Sequence, residues 1–222
     1  MDQNVILVET VPLEFDLESL GCRLRIRPGQ TKFMDRLSRL AEEAVRVARP
    51  KAVARLCGLT ILDEENVQVG EVTFSSPLLR QKMDGLGRAF PYLASEGTEL
   101  ADWSLSLSSS LEQVFASALR EVAVQQAENL LERTLLERDG IAQVSAMNPG
   151  SLKVWSLEEQ VPLFELLAPL PEKLGVTLLP SLMMRPEYSV SGVFFQTDSK
   201  FYNCQLCPKK ECPNRRTPSL VT

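Results

Sequence analysis

Gly175-Val-Thr-Leu-Leu-Pro180-Ser-Leu-Met-Met-Arg-Pro186-Glu-Tyr-Ser-Val-Ser-Gly192-Val-Phe-Phe195 decides how the chain is read. Val176–Leu179 and Tyr188–Phe195 are β-rich runs, the second expected to be interrupted at Gly192. Ser189 and Ser191 flank Val190, so a strand places both on one face. Working back towards the N-terminus, Ser156–Glu159 has capping-box spacing ahead of a helix ending near Leu167, and Met147-Asn148-Pro149-Gly150 reads as a turn. A long helix runs from Ser110, capped through Gln113, to Asp139-Gly140. Earlier still, Phe90–Leu93 suggests a strand whose Pro91 favours a sheet edge. A short helix is expected from Pro77, and a hairpin from Thr60–Leu62 and Val67–Phe74 around Asp63–Asn66. The Thr31–Val47 stretch has helical apolar spacing, and Val5–Val8 reads as a first strand. Strands and helices mix without βαβ alternation, which favours α+β: one domain, a mostly antiparallel sheet with packed helices.

Composition narrows the function. The 222 residues are 44% hydrophobic and 24% charged, with mean hydropathy near zero. No apolar run reaches the ~18 residues of a spanning helix, and the first residues lack the basic segment of a secretory signal. A cytoplasmic protein without membrane partners is expected. There is no histidine, which removes His-based triads and imidazole zinc sites and leaves carboxylates, Lys, Tyr or Cys for proton transfer. Net charge is −5, unfavourable for nucleic-acid binding. Residues 200–222 set five basic residues against Glu211, a net +4, which leaves −9 for residues 1–199. This divides the chain into a domain, 1–199, and a basic cysteine-containing tail, 200–222.

Within that tail, Cys204-Gln-Leu-Cys207 followed by Cys212 puts three thiols in nine residues among prolines. CxxC spacing lets two sulfurs reach one metal from a single turn. Lys209, Lys210, Arg215 and Arg216 would offset the charge of a thiolate-ligated centre. A fourth ligand would come from Cys22, Cys57 or a carboxylate, and zinc or an iron–sulfur cluster both suit sulfur donors. A redox CxxC is the third reading. Cys22 and Cys57 taken alone read as buried thiols, Met183-Met184 as core packing, and Glu96 and Glu99 as solvated carboxylates.

The ordered series Gly175-Val-Thr-Leu, Met184-Arg-Pro186, Ser189-Val-Ser-Gly192, Val-Phe-Phe195 and Asp198-Ser-Lys-Phe-Tyr202 resembles the C-terminal activation domain of cobalamin-dependent methionine synthase. Asn148-Pro149-Gly150 falls where that family has a Pro-Gly-Tyr turn, and Trp155–Phe164 continues the match to small stand-alone relatives. The resemblance is firmest over residues 145–200. It implies an α+β activation-domain fold and a partner that is a corrinoid protein or cobalamin-dependent methyltransferase. It implies a ligand site at Asn148, Pro149, Gly150, Ser151, Ser189, Ser191 and Tyr202. Stand-alone relatives carry a similar tail alongside corrinoid methyltransferase systems, which implies an iron–sulfur cluster at Cys204, Cys207 and Cys212, with zinc as the alternative.

The implied role is reactivation, returning cobalt to Co(I) by electron delivery, by S-adenosylmethionine-dependent methylation, or both. The alternative is a non-enzymatic corrinoid-protein binding module with a degenerate ligand site and structural zinc. Three positions depart from the family pattern: Ala146 replaces an arginine, Ser151 a tyrosine and Phe201 a tyrosine. S-adenosylmethionine binding is therefore expected to be weak. The corrinoid should arrive with its partner, because no residue here supplies an axial imidazole.

Overall fold

The structure, a computed structural model, describes residues 3–209, 215 and 217–220. At its centre is an all-antiparallel eight-stranded sheet. Strand β1 (Val5–Val8) is followed by helices α1 (Leu17–Arg23) and α2 (Thr31–Val47), then β2 (Lys51–Arg55) and β3 (Cys57–Ile61). Next come β4 (Asn66–Val69), β5 (Val72–Ser75), α3 (Pro77–Lys82) and β6 (Arg88–Ser95). Helices α4 (Thr98–Ser106) and α5 (Ser110–Asp139) lead to β7 (Val144–Met147). The chain then forms α6 (Gln160–Leu167), α7 (Leu170–Lys173), the small ribbon β8 (Thr177–Leu178) and β9 (Met184–Arg185), and β10 (Ser189–Gln196).

Strand β6 organises the sheet. On one side it pairs with β10, which pairs in turn with β7. On its other side β2 pairs with Tyr92–Ser95, and β3 takes over at Arg88 and Ala89. Pro91 is therefore in a central strand and fully enclosed, where an edge is expected from sequence. The register explains the tolerance: Pro91 falls where β2 leaves and β3 has not yet joined, so the ladder on that side lapses at the residue that lacks an N–H.

Three further expectations are corrected. The Val67–Phe74 run is itself a hairpin, turned at Gly70-Glu71, where Gly70 takes φ +60°. Neither capping box forms: α5 is preceded by Ser109, Gln113 donates instead to the Leu107 carbonyl at 2.9 Å, and Glu159 accepts from the Ser75 N–H at 3.3 Å. Gly192 does not interrupt β10, which is continuous, because nearby groups need the missing side chain's space.

Period-2 alternation gives the sheet two apolar faces. Phe90, Tyr92 and Ala94 face Ala127, Leu131 and Leu135 of α5, while Ala89 and Leu93 face Trp155, Leu163 and Leu167 around α6. Helices α2 and α4 pack on the N-terminal half of α5, and α1 packs on α2. The layers are helices, sheet and helices. At 30 residues α5 is about 45 Å long, enough to serve both the sheet and this helical cluster.

Candidate functional site

A cavity of about 180 Å³ gathers part of the sequence-predicted set. Glu128 and Glu132 of α5 line one side, Ala146 and Asn148 at the end of β7 another, and Val190 and Phe194 of β10 a third. The segment from Lys200 to Cys204 completes the lining. A larger hollow of about 810 Å³ lies between Val11–Asp16 and α5, and none of the predicted residues lines it.

A hydrogen-bonded chain crosses the cavity wall. The Tyr92 hydroxyl donates to Glu128 Oε1 at 2.7 Å, and Asn148 Nδ2 donates to the Tyr92 hydroxyl at 2.8 Å and to the Ser191 carbonyl at 2.9 Å. Asn203 Nδ2 donates to Asn148 Oδ1 at 2.9 Å. Gly192 permits this arrangement. A Cβ there would lie 2.4 Å from the Met147 carbonyl oxygen, 2.6 Å from Asn148 Nδ2 and 2.9 Å from the Tyr92 ring. The Tyr92 ring stacks on Phe194 at 3.9 Å, filling the space over the glycine.

The segment after β10 is anchored at several points. Phe201 is buried, its N–H donates to Ser145 Oγ at 2.7 Å, and Lys82 Nζ lies 4.7 Å from its ring centre. Lys200 is bonded to Glu132. Asn203–Leu206 forms a 3₁₀ turn, and Arg215 Nη1 donates to the Cys204 carbonyl at 3.1 Å.

Of the predicted ligand residues, Asn148 and Tyr202 line the cavity. Ser189 and Ser191 lie on the opposite face of β10 from Val190 and Phe194, and Ser189 bonds Ser95 Oγ and the Pro186 carbonyl. Ser191 contributes through its carbonyl. Pro149 is buried, while Gly150 (φ +76°) and Ser151 are exposed at a turn closed by the Gly150 N–H on the Trp155 carbonyl.

Cys204 and Cys207 are both half-buried free thiols. Cys204 lies within the 3₁₀ turn, and Cys207 follows its end with extended backbone. Cys212, Lys210 and Arg216 lie outside the described residues. Among the described residues, no three Cys, Asp or Glu side chains gather at a metal-binding distance. Cys57 is buried, and burial pushes its thiol up. Cys22 is exposed, contrary to expectation, because it faces away from the Leu20–Gly21 side of α1. Met183 is also exposed rather than in the core, with Met184 only partly buried.

Two important side chains escape a reading by motifs. Glu96 is fully buried instead of solvated, and Arg120 holds it through two bonds of 2.6 Å. Glu96 also accepts from the Tyr188 N–H at 3.2 Å, and the guanidinium lies 4.4 Å from the Tyr188 ring centre. Burial pushes the Glu96 carboxyl up against the pull of these bonds, while its carboxylate raises Arg120 against that residue's own desolvation. Glu99 is exposed as expected. The second is Glu128. Its available signal, shared with Arg120, is a charge set among the inward-facing apolar positions of α5.

Among solved structures, the fold is similar to the crystal structure of the MetH reactivation domain bound to AdoHcy. The TM-score is 0.61 and the identity 16%, over 89% of this chain and 80% of that one. No protein-family model and no curated protein matches the sequence. The chain thus has the α+β reactivation-domain fold.

Proposed function

We propose that this chain is the reactivation partner of a corrinoid protein, helping to return cobalt to Co(I). The observation that carries the reading is the likeness to the MetH reactivation domain over nearly the whole chain. The cavity supports it, since residues expected from the ordered motif series, Asn148 and Tyr202, meet there beside Cys204. Residues 200–222 act as the cysteine-containing tail of the domain.

Cys204 and Cys207 would hold an iron–sulfur centre together with Cys212. Their CxxC spacing suits two sulfur ligands to a single centre. Such a centre, when bound, supplies the one electron that converts Co(II) to Co(I). The chain's own residues seat the thiols: Arg215 holds the Cys204 carbonyl, and Ser219 Oγ donates to the Cys207 carbonyl at 3.0 Å. Lys209 is exposed beside them and offers positive charge for docking. Association with a corrinoid protein should therefore weaken as salt rises, and unchanged affinity from low to high salt would remove this role for the tail. Reduction of the partner's cobalt tests the whole reading and is set out at the end of the Discussion.

AdoHcy and S-adenosylmethionine should bind weakly. Ala146 lines the cavity without a guanidinium, Ser151 is turned to solvent and Phe201 is committed to the core. Hydrogen bonds to charged groups are worth about 1.5–3 kcal/mol, so two losses lower affinity roughly a hundredfold or more. Calorimetry beside the MetH reactivation domain should show that gap, and Ala146→Arg should narrow it. Equal affinity for the two proteins would place the ligand elsewhere.

A further inference from the structure

A cavity of about 550 Å³ lies between helix α4 and the β8–β9 ribbon. Ala101 and Leu105 line it from α4, and Leu179 and Met183 line it from the turn of the ribbon. Leu105 and Met183 are 78% and 54% exposed, so large apolar groups stand at its rim without a place in the core. Arg120 of α5 also lines the space, and its side chain is only 10% exposed. A guanidinium carries five N–H donors. Arg120 Nε and Nη2 are engaged by Glu96. Nη1 has no hydrogen-bond partner among the described residues, yet it is not sealed off as the unpaired Nε of Arg55 is. A mostly buried donor of this kind calls for an acceptor, and the cavity is where one can enter.

The charge of Arg120 is already met. Glu96 is bonded to it, and the Glu187 carboxylate on the cavity lining acts on it through space. A ligand carboxylate would approach both of these anions, and a ligand cation would approach the guanidinium. An uncharged acceptor meets neither penalty. Asp102 and Glu187 on the same lining can accept N–H groups in return. A primary amide offers both halves, a carbonyl oxygen to receive and N–H groups to donate. A short alkyl body suits Leu105, Leu179 and the adaptable Met183.

We propose that this cavity binds a primary amide on a short alkyl body. Its carbonyl oxygen accepts from Arg120 Nη1, its N–H groups turn to Asp102 or Glu187, and its alkyl part lies against the apolar rim. The proposal goes beyond the reactivation reading and does not rest on it.

The test is a titration of the full chain with pentanamide, pentanoate and pentylammonium, followed by backbone amide shifts. Pentanamide should bind saturably at least about tenfold tighter than either charged counterpart, in the weak range expected of so small a ligand. The shifts should fall at Ala101, Leu105 and Leu179. Arg120→Lys keeps a cation for Glu96 but removes the free nitrogen, and should weaken binding about tenfold. Leu105→Ser/Met183→Ser alters exposed positions alone and should also weaken binding about tenfold, which decides the matter should Arg120→Lys unfold. N-methylpentanamide carries the secondary amide of a peptide bond and should bind more weakly. Equal or tighter binding of it would assign the cavity to a polypeptide and overturn the primary amide. Absence of saturable binding, equal binding of pentanoate or pentylammonium, shifts outside the lining, or full affinity in either folded variant would each overturn the proposal. Cobalt reduction plays no part in this readout, so each reading can fail alone.

Discussion

Replacing Arg120 with methionine should cost about 3–5 kcal/mol of stability, because it leaves a fully enclosed Glu96 carboxylate without its cation. The pair joins three parts of the fold: the end of β6, the middle of α5 and the Tyr188 backbone that leads into β10. A second substitution separates charge from packing. Glu96→Gln in the Arg120→Met background removes the stranded charge while keeping an oxygen for the Tyr188 N–H. It should recover about half or more of the loss. The pH dependence has a definite sign. In the single variant burial holds the Glu96 carboxyl above its unfolded value with no guanidinium to oppose it. A raised carboxyl favours the fold at low pH and loses that contribution as pH rises through the folded value. The deficit of Arg120→Met should therefore shrink as pH falls from about 8 to 5. Urea denaturation across that range provides the check. A loss under 1 kcal/mol, or a deficit that grows on acidification, would contradict this account of the pair.

Gly192→Ala should cost about 3 kcal/mol, at the upper end for overpacking, because the nearest atom to the new methyl is backbone. The Met147 carbonyl belongs to the neighbouring strand and cannot rotate away, and Asn148 Nδ2 and the Tyr92 ring crowd the same point. Relief would separate β7 from β10 or eject Asn148 from its bonds to Tyr92 and Ser191. A loss of less than about 0.5 kcal/mol would show that the glycine is not what admits Asn148.

The contrast between what the sequence conveyed and what it hid follows from range. Thr31–Val47 reads as a helix because its apolar spacing is local, and Gly140 ends α5 because a left-handed residue is a local need. The capping boxes failed because Gln113 and Glu159 found other partners. Pro91 was misplaced because its tolerance depends on two strands meeting β6 at different heights, which periodicity along β6 cannot express. The same holds at the site. Asn148 and Tyr202 were legible in an ordered motif series. Glu128, Tyr92 and Asn203 were not, since their chain of hydrogen bonds joins positions up to 56 residues apart between Tyr92 and Asn148. Glu96 read as a loop carboxylate because its partner lies 24 residues away on a helix.

The most direct test of the reactivation role is an anaerobic visible spectrum of a Co(II) corrinoid protein with a low-potential reductant, taken with and without this chain. Iron-loaded protein should form a complex and produce the Co(I) spectrum at near-stoichiometric amounts. The Cys204→Ser/Cys207→Ser variant should fail to produce it. Co(I) appearing equally fast without the chain, or with the double serine variant, would contradict the account.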